Sequence, residues 1–545
     1  MPRFIVAISF ALLLGLATSA GALPPDPSTY QPYPCTFLQT FIHNDATYGS
    51  ITGRAYWPVA GACVANGAPP ANRPLVLLFN GAGYTYFDYD IVARHLAYNG
   101  FVALVVQSDE PNPLISCGGL GAICIEDRAR KGIAYLKLFQ SNWVWAGQVD
   151  FTNISLAGHS RGGEAAVEAA AIIRWEEPGL GNPGVRAVVS LAPTDVGDDG
   201  LTGKRRLLGR ESPAYLVLYG SRDEQVSGAT EADPPPPGLP RPSGFALYDR
   251  AGTEGSLEGI PVSLDNQVEK AMQFVYLANH EQFSDRCGSS VSCSPTILSC
   301  ANQQKVTKGL VNAFLRWKVL GESGYKDYFN GVVQNPWGLD VWPQLSDGAW
   351  NSRRVIDNFQ DGEVGTNTLG GTLSVNGNLT ATVVDNWATE ARSLHGPEDG
   401  QRLEVTHDLA SVSNILQWSI PAGKANVSTF THLSFRIGQG YGSAGAAQVK
   451  VRIRRGGAWS ALVSSATYGE IPEPDHMGFT FCPGDFYPDR TIVHMRTIRI
   501  PLSAFGGDLT TLQNVQIRFE DATTQDKTLY LDNLELAGGN GGFGL

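Results

Sequence analysis

The chain has 545 residues, enough for two or three domains, and 43% of its residues are hydrophobic. Its 40 Lys and Arg residues face 52 Asp and Glu residues, and the resulting formal net charge of −12 argues against nucleic acid or an anionic surface as the main partner. A solvated acidic surface is ordinary for a secreted enzyme, so the charge excludes more than it identifies.

The first 22 residues predict a secretory signal peptide. Arg3 supplies the positive start, residues 5–16 form the apolar core, and Ala20-Gly21-Ala22 matches an A-x-A cleavage site. The apolar run is too short to span a membrane, and no later segment is long enough. We therefore expect a secreted protein, extracellular or periplasmic, without a membrane span.

Residues 23–345 predict an α/β domain. Continuous apolar runs alternate with helical stretches in the region from about residue 36 to residue 330, and residues 75–79 and 154–157 are examples of the runs. Runs of this kind are typical of strands that are buried on both faces of a parallel sheet. The pattern predicts an α/β fold with a mostly parallel sheet.

The character of the sequence changes after about residue 345. Short β-type runs, such as residues 432–437 and 449–453, show alternation and are separated by turns rich in Gly, Asn and Asp. This pattern predicts an all-β sandwich over residues 346–545.

Eight cysteines in an exported chain predict disulfides. Sequence cannot fix their connectivity, but the best local pairs are Cys35–Cys63 and Cys117–Cys124. Of the three cysteines at 287, 293 and 300, one is left over and is a candidate partner for Cys482. No pair has the C-x-x-C spacing of a zinc site, and no nearby histidines suggest zinc.

The strongest motif is Gly158-His159-Ser160-Arg161-Gly162. It follows a short apolar run and precedes a helix-forming run, and strand, sharp turn and helix are the context that a nucleophile elbow requires. Glycines two residues on either side of Ser160 allow the tight turn. The motif predicts Ser160 as a catalytic nucleophile.

A serine nucleophile needs a histidine base and an acid that orients it, and here both are expected later in the chain, acid first. Asp223 follows an apolar run and is the preferred acid, with Asp195 and Glu224 as rivals. His280 closes the last apolar run of the domain and is the preferred base. We assign His159 to packing, because its side chain is expected to point away into the turn.

Two backbone donors are expected to form an oxyanion hole. One is the N–H of Arg161. The other is expected in the loop Asn80-Gly81-Ala82-Gly83, where we favour the N–H of Ala82, although a plain glycine turn is a rival interpretation. Chemistry of this kind needs no metal and no organic cofactor.

With these motifs in place, residues 36–330 resemble the α/β-hydrolase superfamily. Residues 158–163 are similar to the elbow of chlorophyllases, and with Asn80-Gly81 and residues 279–283 they resemble the lipase, cutinase and platelet-activating-factor acetylhydrolase branch. The chain departs from the usual His-Gly by having Asn80 before Gly81. The resemblance implies a Ser–Asp–His esterase in which Ser160, Asp223 and His280 carry the matching roles.

Residues 346–537 resemble, more loosely, jelly-roll carbohydrate-binding modules, on residues 355–359 and 529–536. The resemblance implies two roles. Asp532 is a candidate calcium ligand, with a strand-end turn as the alternative. Three tryptophans are candidates for stacking on sugar rings, with sandwich core as the alternative: Trp387, Trp418 and Trp459.

The leading hypothesis is a secreted serine carboxylic-ester hydrolase that works through a covalent acyl-enzyme on an ester substrate, with esters of a polysaccharide or another polymer as one candidate class. A polyester or lipid esterase is the alternative within esterases, and a perhydrolase would use the same triad. A binding or adhesion protein without catalysis is the alternative from a different class.

Overall fold

The computed structural model describes residues 23–59, 63, 67–108, 125–176, 184–194, 213–223, 225–226, 243–251, 268–287, 296–334, 336–347, 353–359, 361–385, 401–407, 410–440, 443–477, 490–492, 494–521 and 527–538. Several residues named above lie outside these ranges: the signal-peptide segment 1–22, Asp195, Glu224, Trp387, Cys117, Cys124, Cys293 and Cys482. We call residues 23–347 the first part of the chain and residues 353–538 the second part.

Nine strands of the first part form one sheet. In chain order they are β1 (Cys35–Asp45), β2 (Gly49–Val59), β3 (Arg73–Phe79), β4 (Val102–Val106), β5 (Val149–His159), β6 (Val185–Leu191), β7 (Ala214–Arg222), β8 (Lys270–Asn279) and β9 (Val341–Ser346). Their spatial order is β1-β2-β4-β3-β5-β6-β7-β8-β9. The strands from β4 to β8 pair in parallel, whereas β1, β2 and β9 pair antiparallel at the two edges.

Among the described residues, five α-helices accompany this sheet, besides several short 3-10 helices: α1 (Asp90–Tyr98), α2 (Ile125–Asn142), α3 (Arg161–Glu176), α4 (Ser243–Arg250) and α5 (Cys300–Val319). Helix α3 is rich in alanine, a strong helix former, and it packs against β5 and β6. Helix α5 begins after Ser299, whose side chain accepts a hydrogen bond from the backbone N–H of Asn302 and so caps the helix. The helices help to bury the central strands, and β3 is buried from Pro74 to Phe79.

The second part consists of antiparallel strands around a separate hydrophobic core. One sheet has the order β12-β13-β23-β15-β21, with β10 also paired to β23, and the other has the order β11-β14-β22-β16-β17, with β18 also paired to β16; a ribbon of β19 and β20 completes the set. The bounds are β10 (Arg353–Asp357), β11 (Leu373–Asn376), β12 (Thr380–Asp385), β13 (Gln401–His407), β14 (Ile415–Ser419), β15 (His432–Gln439), β16 (Lys450–Arg455), β17 (Ala458–Trp459), β18 (Val463–Ser464), β19 (Asp475–Met477), β20 (Arg490–Ile492), β21 (Arg496–Pro501), β22 (Leu512–Arg518) and β23 (Lys527–Ala537).

The predicted fold class, an α/β-hydrolase fold with a mostly parallel sheet followed by a jelly-roll-like sandwich, is wrong. The protein is 25% helical and 40% strand, and several antiparallel sheets accompany one mixed sheet, so the fold is β-rich. The prediction failed because continuous apolar runs reveal only strands that are buried on both faces. Strands with partly exposed side chains, such as β1, do not show this pattern. Together with the antiparallel strands after residue 353, which the sequence does predict, they outweigh the helices.

Polar contacts join the two parts along β9. The backbone N–H of Leu345 donates to Thr497 Oγ1 at 3.1 Å, and the Arg436 guanidinium donates to Gln344 Oε1 at 2.8 Å. Asp347 lies 2.9 Å from Arg499 and 3.1 Å from Lys326. These neighbouring cations lower the pKa of the buried Asp347 carboxyl, although burial alone would raise it.

Two disulfides lie among the described residues. The predicted pair Cys35–Cys63 is confirmed, and Cys287 is bonded to Cys300. Both bonds are compatible with an oxidising compartment. In the described part of the chain, no helix combines the length and the apolar character that a membrane span needs.

Candidate active site

Ser160 occupies a sharp turn between β5 and α3. Its φ is +55°, a left-handed backbone conformation that residues other than glycine rarely adopt and that costs about 1–3 kcal/mol. The turn is held from both sides: the Ser160 N–H donates to the Leu191 carbonyl at 2.9 Å, and the Ser160 carbonyl accepts from the Gly163 N–H at 2.8 Å. Only 7% of the residue is exposed. The fold therefore fixes the backbone of Ser160 in one conformation.

The two glycines of the motif are required by close backbone approaches. A Cβ on Gly158 would lie 2.0 Å from the carbonyl oxygen of Gly162, and a Cβ on Gly162 would lie 2.4 Å from the carbonyl oxygen of Phe79. Real Cβ atoms do not approach backbone oxygens this closely. The spacing of the motif thus reflects how tightly the turn packs against β3.

Asp223 and His280 lie together at the ends of neighbouring strands. Asp223 follows β7, His280 follows β8, and His280 Nδ1 lies 2.9 Å from Asp223 Oδ2. The second carboxylate oxygen accepts the backbone N–H groups of Gln225 at 3.1 Å and Val226 at 3.0 Å. Both side chains of the pair are buried. Because Nδ1 donates to the carboxylate, Nε2 is the basic nitrogen of His280.

An irregularity in β8 sets the position of His280. Opposite the step from Gly220 to Arg222 on β7, β8 advances from Val275 to Asn279, so it carries two extra residues there. Leu277 within this bulge has a φ of +61°, and its N–H donates to the Ser221 hydroxyl at 2.9 Å. Bulges of this kind re-aim the residues that follow them. The strain at Leu277 accompanies the placement of His280 beside Asp223.

Hydrogen bonds of His159 link the candidate base His280 to residues 80–83, which we call the oxyanion loop. The sequence predicts a packing role for His159. Its ring is fully buried and contacts the ring of His280 at a centroid distance of 4.6 Å. Its Nε2 lies 3.1 Å from the His280 carbonyl oxygen, which can only accept, so Nε2 carries the proton. Its Nδ1 then accepts from the Tyr89 hydroxyl at 3.1 Å, and that hydroxyl accepts from the Gly81 N–H at 2.8 Å.

This chain of hydrogen bonds needs a neutral His159. Complete burial lowers the pKa of His159 well below its usual value, and the neighbouring His280 ring lowers it further. The imidazole therefore stays neutral at physiological pH and keeps one donor and one acceptor nitrogen. The sequence signal for this role was its place directly before Ser160 at the end of a strand.

The predicted oxyanion donors belong to residues near Ser160 in space or in sequence. Gly81 approaches so closely that a Cβ there would lie 3.2 Å from the Ser160 Cβ, and the N–H of Ala82 follows from this peptide. Arg161 is the first residue of α3, and the first N–H groups of a helix have no acceptor within the helix. Both positions are thus next to the serine, as an oxyanion hole requires.

Buried polar groups brace the loop that carries Ala82. Asn80 donates from its amide to the Tyr84 carbonyl at 2.6 Å and accepts from the Ser108 N–H at 2.7 Å. The buried Arg128 guanidinium donates to the Asn80 carbonyl at 3.1 Å, and burial lowers the pKa of Arg128 to about 9. These hydrogen bonds connect the loop to the segment after β4 and to α2, and they give the Asn80 side chain a structural role.

Glu281 connects three segments around the site. It follows His280 directly, and its carboxylate accepts from the Tyr84 hydroxyl at 2.5 Å and from the Gln225 side chain. Tyr84 directly follows the oxyanion loop, and Gln225 lies in the segment after Asp223. Burial and the Glu281 carboxylate raise the pKa of Tyr84, so its hydroxyl remains a donor. Sequence reasoning missed Glu281, since a single carboxylate beside a histidine is an ordinary loop feature.

The candidate sugar-stacking and calcium-binding residues of the second part have different surroundings. Trp418 is fully buried and donates to Asp357 at 2.8 Å, so it belongs to the core. Trp459 is half-buried beneath the Arg452 guanidinium, which lies 4.3 Å from its ring centroid. Asp532 is buried 3.3 Å from Arg436. In the residues that the structure describes, no group of three or more His, Cys, Asp or Glu side chains is arranged to hold a metal ion.

The arrangement brings an Asp–His pair, a serine on a strained turn and two candidate backbone donors to the carboxyl ends of the parallel strands β3, β5, β7 and β8. A pair of this kind can take a proton from a hydroxyl and return it to a leaving group. Comparison with protein-family models and with curated proteins gave no match.

Proposed function

We propose that the protein is a secreted serine carboxylic-ester hydrolase that uses Ser160, His280 and Asp223. The observation that carries the proposal is the buried contact of 2.9 Å between His280 and Asp223. Ser160, whose backbone is held in the left-handed region, directly follows His159, and the ring of His159 contacts the ring of His280 at a centroid distance of 4.6 Å. A general base with an orienting acid next to a constrained hydroxyl is the arrangement that nucleophilic acyl transfer needs. Export is supported by the two disulfides.

In the acylation step, the Ser160 oxygen forms a bond to the ester carbonyl carbon while its proton passes to Nε2 of His280. The electron pair of the carbonyl moves onto oxygen, where the N–H groups of Ala82 and Arg161 stabilise the negative charge. When the tetrahedral intermediate collapses, the bond to the alcohol oxygen breaks and the alcohol leaves with the proton from His280. The product is an acyl-enzyme on Ser160.

In the deacylation step, a water oxygen forms a bond to the acyl carbon and gives one proton to His280. Collapse of the second intermediate breaks the bond to Ser160, which takes that proton back, and the carboxylic acid leaves. The Asp223 carboxylate stabilises the imidazolium that forms in both steps. Burial of the pair strengthens this charge interaction, since water does not screen it.

We also propose that the ester substrates are attached to a polysaccharide that binds the second part. Three polar residues on neighbouring strands form a row on one face of a sheet, with Gln516 buried beneath them: Ser374, Gln417 and Arg452. The Trp459 ring lies at the edge of this row. The same face carries Lys450, Arg454 and Arg518. Lys450 and Arg518 both pair with Glu520, and a polymer with anionic groups matches the excess of cations among these residues.

Hydrolysis of p-nitrophenyl acetate, butyrate and octanoate by the purified mature protein and by Ser160→Ala tests the catalytic proposal. We expect activity in the parent and a rate near background in the variant. The chain-length profile separates a short-chain esterase from a lipid or polyester esterase. Equal rates in both proteins would refute the role of Ser160, and no activity in either folded protein would favour a binding role.

Affinity electrophoresis in gels with polygalacturonate or hydroxyethyl cellulose tests the polymer proposal. We expect polygalacturonate to retard the parent protein, salt to weaken the effect, and Trp459→Ala or Arg452→Ala to reduce it. Val412→Ala, at an exposed residue of the same part, is the matched control. Equal migration in all gels would contradict the proposal.

A further inference from the structure

An ion pair between the two parts of the chain involves the residue directly before the candidate catalytic acid. Arg222, the last residue of β7, pairs through Nη1 with the carboxylate of Asp475, the first residue of β19. Both residues are buried, at 7% and 5% exposed. The next residue after Arg222 is Asp223. A contact with the second part therefore holds the strand end from which the acid projects.

The surroundings of Arg222 restrict it further. Its guanidinium lies 5.6 Å from the ring centroid of Tyr276 on β8, and the backbone of Arg222 pairs with Asn279, the residue before His280. The neighbouring Ser221 hydroxyl accepts from Leu277 in the bulge of β8. Thus the ends of β7 and β8, which carry the acid and the base, meet at Arg222.

We propose that Asp475 is a positioning residue for the catalytic pair: it anchors Arg222 and so fixes Asp223 relative to His280. This inference rests on the proposed function. It makes the second part of the chain a component of the hydrolytic site as well as a surface for polymer. A misplacement of about 1 Å can cost about 100-fold in rate, so loss of the anchor is expected to lower kcat.

The test must separate position from stability, because a buried Arg222 without its partner destabilises the fold. We compare Asp475→Asn with the double variant Arg222→Met, Asp475→Leu, in which an apolar pair replaces the ion pair. Apolar replacements of this kind often restore stability. We expect kcat to fall about 10-fold in both variants, with KM little changed, even though the melting temperature of the double variant recovers.

Asp347→Asn is the matched control. Asp347 is also a buried carboxylate that pairs with a cation of the second part. It follows Ser346, which pairs with Lys270 at the start of β8, whereas His280 follows the end of that strand, about 25 Å away. We expect this variant to lower the melting temperature and to leave kcat unchanged.

Parent kcat in folded Asp475→Asn would overturn the inference, as would an equal loss of kcat in Asp347→Asn, which would mean a general loosening of the fold. Either result leaves the proposed function intact as long as Ser160→Ala remains inactive. Parent activity in Ser160→Ala would instead refute the proposed function itself.

Discussion

His159 and His280 are joined through the main chain, since the imidazole of His159 donates from Nε2 to the carbonyl oxygen of His280 at 3.1 Å. The same ring accepts from Tyr89, which in turn accepts from the Gly81 N–H. Hydrogen bonds in such a chain polarise one another. The backbone of the base and the backbone of the oxyanion loop are therefore held by one buried network.

Tyr89→Phe tests this network at its centre. The change removes the hydroxyl and leaves the Gly81 N–H without its acceptor, and an unsatisfied buried group costs about 1–3 kcal/mol. We expect kcat/KM for p-nitrophenyl butyrate to fall about 10-fold, because the donor at Ala82 is less well placed. Steady-state kinetics measure the change. Unaltered kinetics in a folded variant would show that the network does not support catalysis.

Gly158→Ala is expected to destabilise the protein by about 3 kcal/mol, because the added Cβ meets the Gly162 carbonyl oxygen and the turn cannot move without disturbing β3. Denaturant unfolding gives the free energy. Gly147→Ala is the control, since nothing lies within 4 Å of a Cβ there. Similar stabilities of the two variants would mean that the turn has room for a methyl group.

The disulfide Cys287–Cys300 is expected to support the site as well as the fold. Neighbouring Arg286 donates to the Gly83 carbonyl at 2.7 Å, and its guanidinium lies 3.9 Å from the Tyr84 ring centroid. Replacing both cysteines by alanine should lower the free energy of unfolding by about 3 kcal/mol and kcat by about 3-fold.

The Cys35–Cys63 bond provides the comparison for that variant. It lies at β1, on the edge of the sheet farthest from β8 in the strand order. Its removal should lower the melting temperature and leave kcat as it is. If both double variants lose the same fraction of kcat, the segment after His280 has no particular role.

Acid should destabilise the protein through His95. Burial lowers the pKa of His95 from 6.5 to about 4 in the folded protein. Between pH 6.5 and pH 4 the unfolded chain therefore binds a proton at His95 that the folded chain does not bind. The stability that comes from the neutral His95 is complete above pH 6.5 and is lost as the pH falls towards 4. The contribution amounts to about 3 kcal/mol.

His95→Gln measures this effect. Glutamine can keep the donor that His95 Nε2 offers to the Pro27 carbonyl at 2.7 Å, but it does not titrate. Urea unfolding between pH 4 and pH 7 should give a shallower loss of stability for the variant than for the parent protein. The same slope in both proteins would place the acid sensitivity elsewhere.

Sequence reasoning found what depends on local pattern. The motif around Ser160 predicts a tight turn, and in the structure that residue has a φ of +55°. The same reasoning missed β1, because exposed polar residues such as Gln39 and Thr40 interrupt its apolar run. It therefore gave the wrong fold class. An antiparallel edge depends on pairing with another strand, which a single run of sequence does not reveal.

Contacts between distant residues were equally out of reach. Arg222 and Asp475 are separated by 253 positions, and neither belongs to a periodic pattern that would pair them. His159 was visible as a residue of the motif, yet its link to His280 depends on where β8 ends. Polar networks of this kind become apparent only when the strands are assembled.

Covalent labelling with a fluorophosphonate probe tests the central claim most directly. The hydroxyl oxygen of an activated serine forms a bond to phosphorus and fluoride leaves, so the site of reaction marks the nucleophile. We predict that mass spectrometry finds the label on Ser160 alone, that hydrolysis of p-nitrophenyl butyrate falls in proportion, and that His280→Ala slows the labelling. A folded, hydrolytically active protein that takes up no label at Ser160, or takes it up at another serine, would contradict the assignment.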